Sequence, residues 1–395
     1  MDFEFTEEQK SLIALIKDFG KREVDPDYIR KLQDTVEPRD RIPWDILKKA
    51  DEIGLRTIAA PEEVGGGGAD YLTQMICGEA VALYCGYPLG HLFAHLWSRF
   101  GPIMPTHEVE KMYLTRFMED YTFMCAGGIV ESDAGSDMLL RTEGAPIKTF
   151  AHKDGDEWVL NGEKAWPTGG AAADMITVFC SIDRKDPMNN LRRIYVPTDT
   201  PGFSVVRSNW MLYEELLQPT TVAFDNIRVP ANYLIEETGT SPTLRASARI
   251  FVGPRVGADQ AIYEATKEYA KMRVQGGKPI FEHNNVGPLI VEMHILVESL
   301  KHAAYRHAWE ADQAVKYGMG DGRGQKVALT GYALYYLSKH IPLRLAEHAC
   351  DVFAATGSVK DMPVHDFARL AFHWQHGQGP RHQQLMKAMP LIKNY

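Results

Sequence analysis

Cysteine is scarce in this chain of 395 residues: Cys77, Cys85, Cys125, Cys180 and Cys350 are odd in number, widely spaced and contain no CxxC pair. That pattern supports neither a disulfide framework nor a thiolate metal site, and it fits a reducing cytoplasm. An excess of positive charge is also missing. The formal net charge of -9 argues against a general polyanion-binding role and makes nucleic acid an unexpected partner, while leaving room for a local basic patch around a phosphorylated ligand. The opening residues Met1-Asp2-Phe3-Glu4 carry no basic region, and no apolar run is long enough to cross a bilayer, so neither export nor a membrane span is expected. Repeats and low-complexity linkers are absent as well. The chain as a whole is 45% hydrophobic and 24% charged, enough to bury two or three substantial cores.

Thr6-Glu7-Glu8-Gln9 reads as a capping box, and Leu12, Ile13, Leu15, Ile16 and Phe19 follow at helical spacing, predicting a helix over about residues 6–23. Pro43-Trp44 opens a second amphipathic helix ending near Gly54, and Pro61 to Val64 then leads into a loop of four glycines, Gly65 to Gly68. Further helices are expected over about residues 70–121, interrupted by Gly86, Pro88, Gly101 and Pro105. Near residue 122 the texture changes. Asn161-Gly162, suited to the positive φ of a tight turn, is predicted to be a hairpin turn between Glu157–Leu160 and Glu163–Trp166. Met175–Ile182, Arg193–Pro197 and Thr220–Val229 are further strand-like runs, so the middle third is expected to be a β sandwich or open barrel. From about Leu244 the helical period returns through four long segments to about Gln375. The expected organisation is α+β and multidomain: a helical domain over 1–121, a β domain over 122–238 and a C-terminal four-helix bundle over 239–395.

Four segments in that order carry a resemblance. Pro61-Glu62-Glu63-Val64-Gly65-Gly66 matches P-E-x-x-G-G, and Glu131-Ser132-Asp133-Ala134-Gly135-Ser136-Asp137 is similar to E-P-x-A-G-S-D. Asn161 to Gly170 is close to N-G-x-K-x-W-I-T-N-G, and Arg273 to Ile280 is similar to R-x-Q-F-G-x-P-I. Each is weak alone; together, over essentially the whole chain, they resemble the acyl-CoA dehydrogenase family. The resemblance implies FAD held between the β domain and the C-terminal helices, with an acyl-CoA against it, and oxidation of a CH–CH bond. Electrons would pass to an electron-transferring flavoprotein, and the assembly would be a homotetramer or dimer of dimers. It implies that Trp166 packs along the flavin, that Thr168 directs its hydroxyl to the flavin, and that Ser136 with the Gly135 backbone faces the pantetheine and flavin edge. Arg273 would reach the FAD pyrophosphate with its guanidinium fork. A core tryptophan, a plain turn and a solvated helix-end arginine are the bland alternatives.

The chain also departs from the pattern. Val130 stands where the family places a threonine hydroxyl near the flavin, Gly276 replaces an aromatic, and Asn284 falls where a glutamine supports the nucleotide. Asp351-Val352-Phe353-Ala354-Ala355-Thr356-Gly357 resembles Q-x-F-G-G-x-G, which holds the adenine end of FAD from a neighbouring subunit, with Ala354 and Ala355 in place of its central glycines.

The largest departure is the base. In the family a glutamate removes the thioester α-proton, and the matching position is Gln378, followed by Gly379 at the thioester. Glutamine cannot accept that proton. The alternative position on the first long C-terminal helix falls on or beside Ser247, which is no base either. His91 and His95, four residues apart on one helix face, are candidate replacements, as is His376; buried structural histidines are the competing reading. His373 and His376 alone do not make a metal site. Ser247, Phe251, Arg255 and Asp259 recur at four-residue intervals and form a stripe able to meet a polar acyl group, or else a structural ion pair. Three readings follow: an oxidoreductase with relocated acid/base chemistry on an atypical, cyclic or carboxylated acyl-CoA; a base-less subunit of a heteromeric dehydrogenase; or a non-oxidative decarboxylase, lyase or isomerase on the same flavin scaffold.

Overall fold

The Thr6 capping box closes as its sequence demands: the hydroxyl accepts from the Gln9 amide at 3.2 Å, and the Thr6 amide donates to Gln9 Oε1 at 3.1 Å. The computed structural model describes residues 4–135, 147–213, 215–235 and 249–393. In chain order the helices are α1 (Glu7–Glu23), α2 (Pro26–Gln33), α3 (Trp44–Glu52), α4 (Tyr71–Cys85), α5 (Tyr87–Trp97) and α6 (Glu108–Glu119). After the strands come α7 (Val252–Met272), α8 (Gly287–Tyr317), α9 (Arg323–Phe353), α10 (Pro363–His373) and α11 (Arg381–Lys393). The main strands are β1 (Cys125–Gly128), β2 (Phe150–Asp154), β3 (Glu157–Lys164), β4 (Met175–Ser181), β5 (Leu191–Pro197), β6 (Phe203–Ser208), β7 (Thr220–Pro230) and β8 (Leu234–Ile235). The order helical, β, helical is as expected, and none of the described helices is long and apolar enough to cross a membrane.

The chain divides into two compact units. One comprises Met1–Pro26, Asp70–His95 and Pro242–Tyr395 and is helical. In it α4 and α7 approach backbone to backbone: a Cβ on Gly257 would fall 2.3 Å from the Glu79 carbonyl oxygen, so only glycine permits the crossing. The other comprises Asp27–Ala69 and Leu96–Ser241. It holds one sheet in the order β6-β7-β3-β2-β4-β5-β8, with β1 pairing parallel to β4. Leu160, Ile176, Val178, Ile194, Val196, Val222 and Ile227 fill its core at 0% exposure; each such side chain contributes roughly 1.5–3 kcal/mol of burial.

Several local expectations fail for physical reasons. Asn161-Gly162 is no hairpin turn: β3 runs straight through it, and the ladder to β7 shifts between Leu160 and Gly162. Gly162 adopts φ 143, and a Cβ there would lie 2.6 Å from Thr149 Cα, so this glycine serves a bulge and a close backbone approach. The hairpin turn lies earlier, at Gly155 (φ 64), between the paired residues Asp154 and Glu157. The break expected at Gly86 and Pro88 does fall there, between α4 and α5, with Pro88 in the first turn of α5, where its missing N–H costs nothing. Two helices were not foreseen. α2 spans only 8 residues, about two turns, too short a window for its periodicity to be read. α11 follows the glycine-rich turn at Gly377–Gly379 and leaves Leu385, Met386, Met389 and Ile392 exposed.

Candidate active site

In the sheet unit, two of the motif segments are joined by a buried ion pair that motif matching left unexplained. Lys164 Nζ donates to Glu131 Oε1 at 2.9 Å and to the Ile129 carbonyl at 3.0 Å. The same carboxylate accepts the backbone amides of Lys148 at 2.7 Å and Thr149 at 3.0 Å. Burial pushes the Glu131 carboxyl up, but the Lys164 charge and the Thr149 and Lys148 hydrogen bonds outweigh it and hold the group below the usual carboxylate range. The pair fixes its flanks. The Val130 carbonyl accepts from the Ala165 amide at 3.1 Å, while the Val130 side chain packs on Ala134 and Ile147. The Ala165 carbonyl accepts from the Thr221 hydroxyl at 3.3 Å, and Thr168 bridges to Pro219. Trp166, between them, is 47% exposed, so its indole is not spent on the core. Gly135 has open space where a Cβ would stand. Ser136 lies outside the described residues.

In the helical unit, His91 and His95 are both buried on α5. The His91 ring stacks on Tyr87 (centroids 5.9 Å, 16°) and meets Phe251, just before α7, at 5.4 Å. Ser247 lies outside the described residues. Arg255 and Asp259 are both fully buried and pair through Nε and Oδ1 at 3.2 Å, with the guanidinium 5.2 Å over the Phe367 ring. Beyond that contact, among the described residues no hydrogen-bond partner reaches Nη1 or Nη2 of Arg255 or Oδ2 of Asp259. Burial pushes the Asp259 carboxyl up to about 7 despite the Arg255 charge.

The turn between α10 and α11 carries Gln378. Its backbone is left-handed (φ 60) and its side chain exposed, as is that of His376. The Gln378 carbonyl accepts from Gln384 Nε2 at 3.3 Å. Gly379 adopts φ 91, and a Cβ there would fall 1.7 Å from Gln383 Oε1, so position 379 is confined to glycine. From below, Lys339 of α9, fully buried, donates to the carbonyls of Trp374 (2.9 Å) and Gly377.

Arg273 caps α7, exposed, with Nη1 donating to the Tyr269 hydroxyl at 2.8 Å. The Tyr269 ring stacks on Phe353 at 4.1 Å, which brings Arg273 to the end of α9. There Ala354 takes φ 51, ψ -135, a conformation that favours glycine. Asp351, Ala355 and, before α8, Asn284 are exposed. Sequence reasoning missed Glu131, Lys164 and Lys339. The first two were present as motif letters with no partner assigned; Lys339 had no signal, because a buried lysine reads in sequence as a solvated one.

Three family profiles match the chain in succession: acyl-CoA dehydrogenase N-terminal domain over residues 6–119, middle domain over 126–222 and C-terminal domain over 246–387. The probable acyl-CoA dehydrogenase YngJ of Bacillus subtilis (strain 168) is 27% identical over 402 residues, covering 100% of both chains. Butyryl-CoA dehydrogenase of Megasphaera elsdenii matches in fold with a TM-score of 0.84 at 22% identity over 100% of both chains. PigA with FAD and proline matches with a TM-score of 0.86 at 18% identity, over 100% of this chain and 99% of that one.

Proposed function

This chain belongs to the acyl-CoA dehydrogenase family of FAD-dependent CH–CH oxidoreductases, and we propose that it acts on an atypical acyl-CoA, cyclic or carboxylated, with its proton transfer moved away from residue 378. One observation carries the reading: the turn that presents residue 378 is intact and held in place, yet the side chain it presents is the amide of Gln378. The residues present fit the cofactor. Trp166 offers an uncovered indole to a flat ring, Thr168 follows it with a hydroxyl, and Arg273 offers an exposed guanidinium to a diphosphate. In this reading Val130 and Gly135 meet the ring with backbone alone, and Asn284, Asp351 and Ala355 are the residues that the family resemblance assigns to the nucleotide end. FAD, when bound, supplies the acceptor for the hydride that leaves the acyl β-carbon.

The α-proton then needs a base in this chain. His91 is favoured over His95 and His376 because its ring is aligned by Tyr87 and in contact with Phe251, four residues beyond Ser247. An imidazole nitrogen there takes the proton from the α-carbon as the β-hydride departs. Arg255, whose Nη1 and Nη2 find no hydrogen-bond partner among the described residues, favours an anionic acyl group, with Ser247, Phe251 and Gly379 as further substrate contacts. An electron-transferring flavoprotein is the expected acceptor, and a cytoplasmic homotetramer or dimer of dimers the expected assembly. Ala354, strained where the family keeps glycine, favours a second reading, a base-less subunit of a heteromeric enzyme.

The test is bleaching of the purified protein's flavin absorbance. Gln378→Glu is expected to raise bleaching by simple straight-chain acyl-CoAs by about 10²-fold or more, and His91→Ala to lower turnover of the native thioester by a similar factor. No gain from Gln378→Glu with FAD bound defeats the missing-base reading. Unchanged rates in His91→Ala remove that residue from the chemistry, and a preparation that holds no flavin supports the subunit reading.

A further inference from the structure

Gln378 is flanked by Gly377 and Gly379, so its turn has little stiffness of its own, and fixing such a backbone costs more conformational entropy than fixing any other. Something outside the turn must hold it. The structure places two side chains there: Gln384 Nε2 of α11 donates to the Gln378 carbonyl at 3.3 Å, and from α9 Lys339 Nζ donates to the carbonyls of Trp374, at 2.9 Å, and Gly377, while Gln375 Nε2 returns a hydrogen bond to the Lys339 carbonyl at 2.7 Å. The bonds at Lys339 tie one turn of α9 to the segment ending one residue before Gln378. A fully buried ammonium is expensive to keep, and no carboxylate pairs with this one among the described residues; it meets main-chain carbonyls instead.

We propose that Lys339 is a positioning residue for residue 378, fastening the Trp374–Gly379 turn so that the side chain at 378 is presented to the bound thioester. The inference rests on the reading above, which puts residue 378 at the acyl group. Lys339 touches no reacting atom and acts through the backbone of the turn. Burial, reinforced by the Arg255 charge, lowers its ammonium to about 7, so the clamp is complete in mild acid and weakens as the proton leaves. Arg255, paired with Asp259, faces it from α7; the Trp374 ring faces it from the turn, 5.6 Å from Nζ. On its own helix, the adjacent His340 is engaged by Arg381 of α11 at 3.2 Å.

The experiment uses the full-length FAD-loaded protein. In wild type the fluorescence assigned to Trp374, obtained by difference from Trp374→Phe, is expected to show a transition near neutrality between about pH 5.5 and about pH 9. Lys339→Met removes the titrating group and Lys339→Arg keeps a charge that does not titrate, so both should lose it. A transition that persists in Lys339→Met comes from another group and overturns the proposal, as does its absence from wild type. In the Gln378→Glu background, Lys339→Met should lower the bleaching rate at saturating straight-chain acyl-CoA by about 10-fold or more with little change in half-saturation, and Lys339→Arg should recover part of it. An unchanged rate also overturns the proposal. Should Lys339→Met fail to fold, Lys339→Gln, which keeps a donor without the charge, replaces it in both arms. If Gln378→Glu alone shows no bleaching, the functional reading fails, while the fluorescence arm still decides for or against Lys339.

Discussion

The sheet unit and the helical unit each bury an ion pair, and the two pairs are built to different standards. Glu131 and Lys164 are fully provided for: the carboxylate accepts an ammonium and two backbone amides, and the ammonium has a carbonyl besides. Arg255 and Asp259 have each other through one contact and, among the described residues, nothing else beyond an aromatic ring. Both pairs are buried, Asp259 more deeply than Glu131, so depth of burial and hydrogen bonding together separate them, and the Glu131 and Asp259 carboxyls respond in opposite directions. A satisfied pair is scaffold. An unsatisfied one stores an unmet demand, and here it borders the side chain that clamps the turn of residue 378.

The contrast is broken most severely at Lys164. Lys164→Met leaves Glu131 buried and uncompensated and should cost about 3–5 kcal/mol by urea unfolding, and it should loosen the Val130 and Trp166 flanks enough to reduce FAD retention. Replacing the other pair together, Arg255→Met with Asp259→Leu, is expected to be neutral or stabilising by roughly 1–4 kcal/mol, because little hydrogen bonding is lost. A cost for that double variant equal to the Lys164 cost would erase the distinction.

Varying pH sharpens the comparison at an intermediate size of effect. With its carboxyl raised from 3.8 to about 7, Asp259 contributes stability that is complete below 3.8 and lost as pH rises through about 7. Glu131, held below its ordinary 4.5, contributes stability that is present above that value and lost as pH falls. Asp259→Asn should therefore flatten the decline in urea midpoint from weak acid to neutrality, and Glu131→Gln should flatten the loss at the acid end. Identical profiles for both variants would show that the two carboxyls are not in opposite states.

The smallest effect is expected at Ala354. Ala354→Gly relieves a left-handed backbone and should raise stability by about 1 kcal/mol, read as a higher thermal midpoint. No gain would mean that the φ of 51 is not strained in solution.

Much of the fold was written in local patterns. The Thr6 cap, the strand runs and the return of helical periodicity are short-range signals, and so the helical, β, helical order could be read directly. The Asn161-Gly162 turn failed because a glycine demanded by a bulge and by the approach of Thr149 looks, in sequence, the same as a glycine demanded by a hairpin. α2, at 8 residues, is too short, and the glycine-preceded α11 too weakly periodic, to announce themselves.

For the candidate site, the sequence by itself determined which residue types were available: a glutamine at 378, alanines at 354 and 355, histidines at 91 and 95, and the motif letters Glu131 and Lys164. Identity and spacing are local properties, and the chain records them. Only the tertiary structure decided that Glu131 meets Lys164 from 33 residues away, that Asp259 lacks such support among the described residues, and that Lys339 crosses 38 residues of sequence to hold the Gly377 carbonyl. Whether a buried charge finds a partner depends on which other segments arrive beside it, and no window of sequence contains that information.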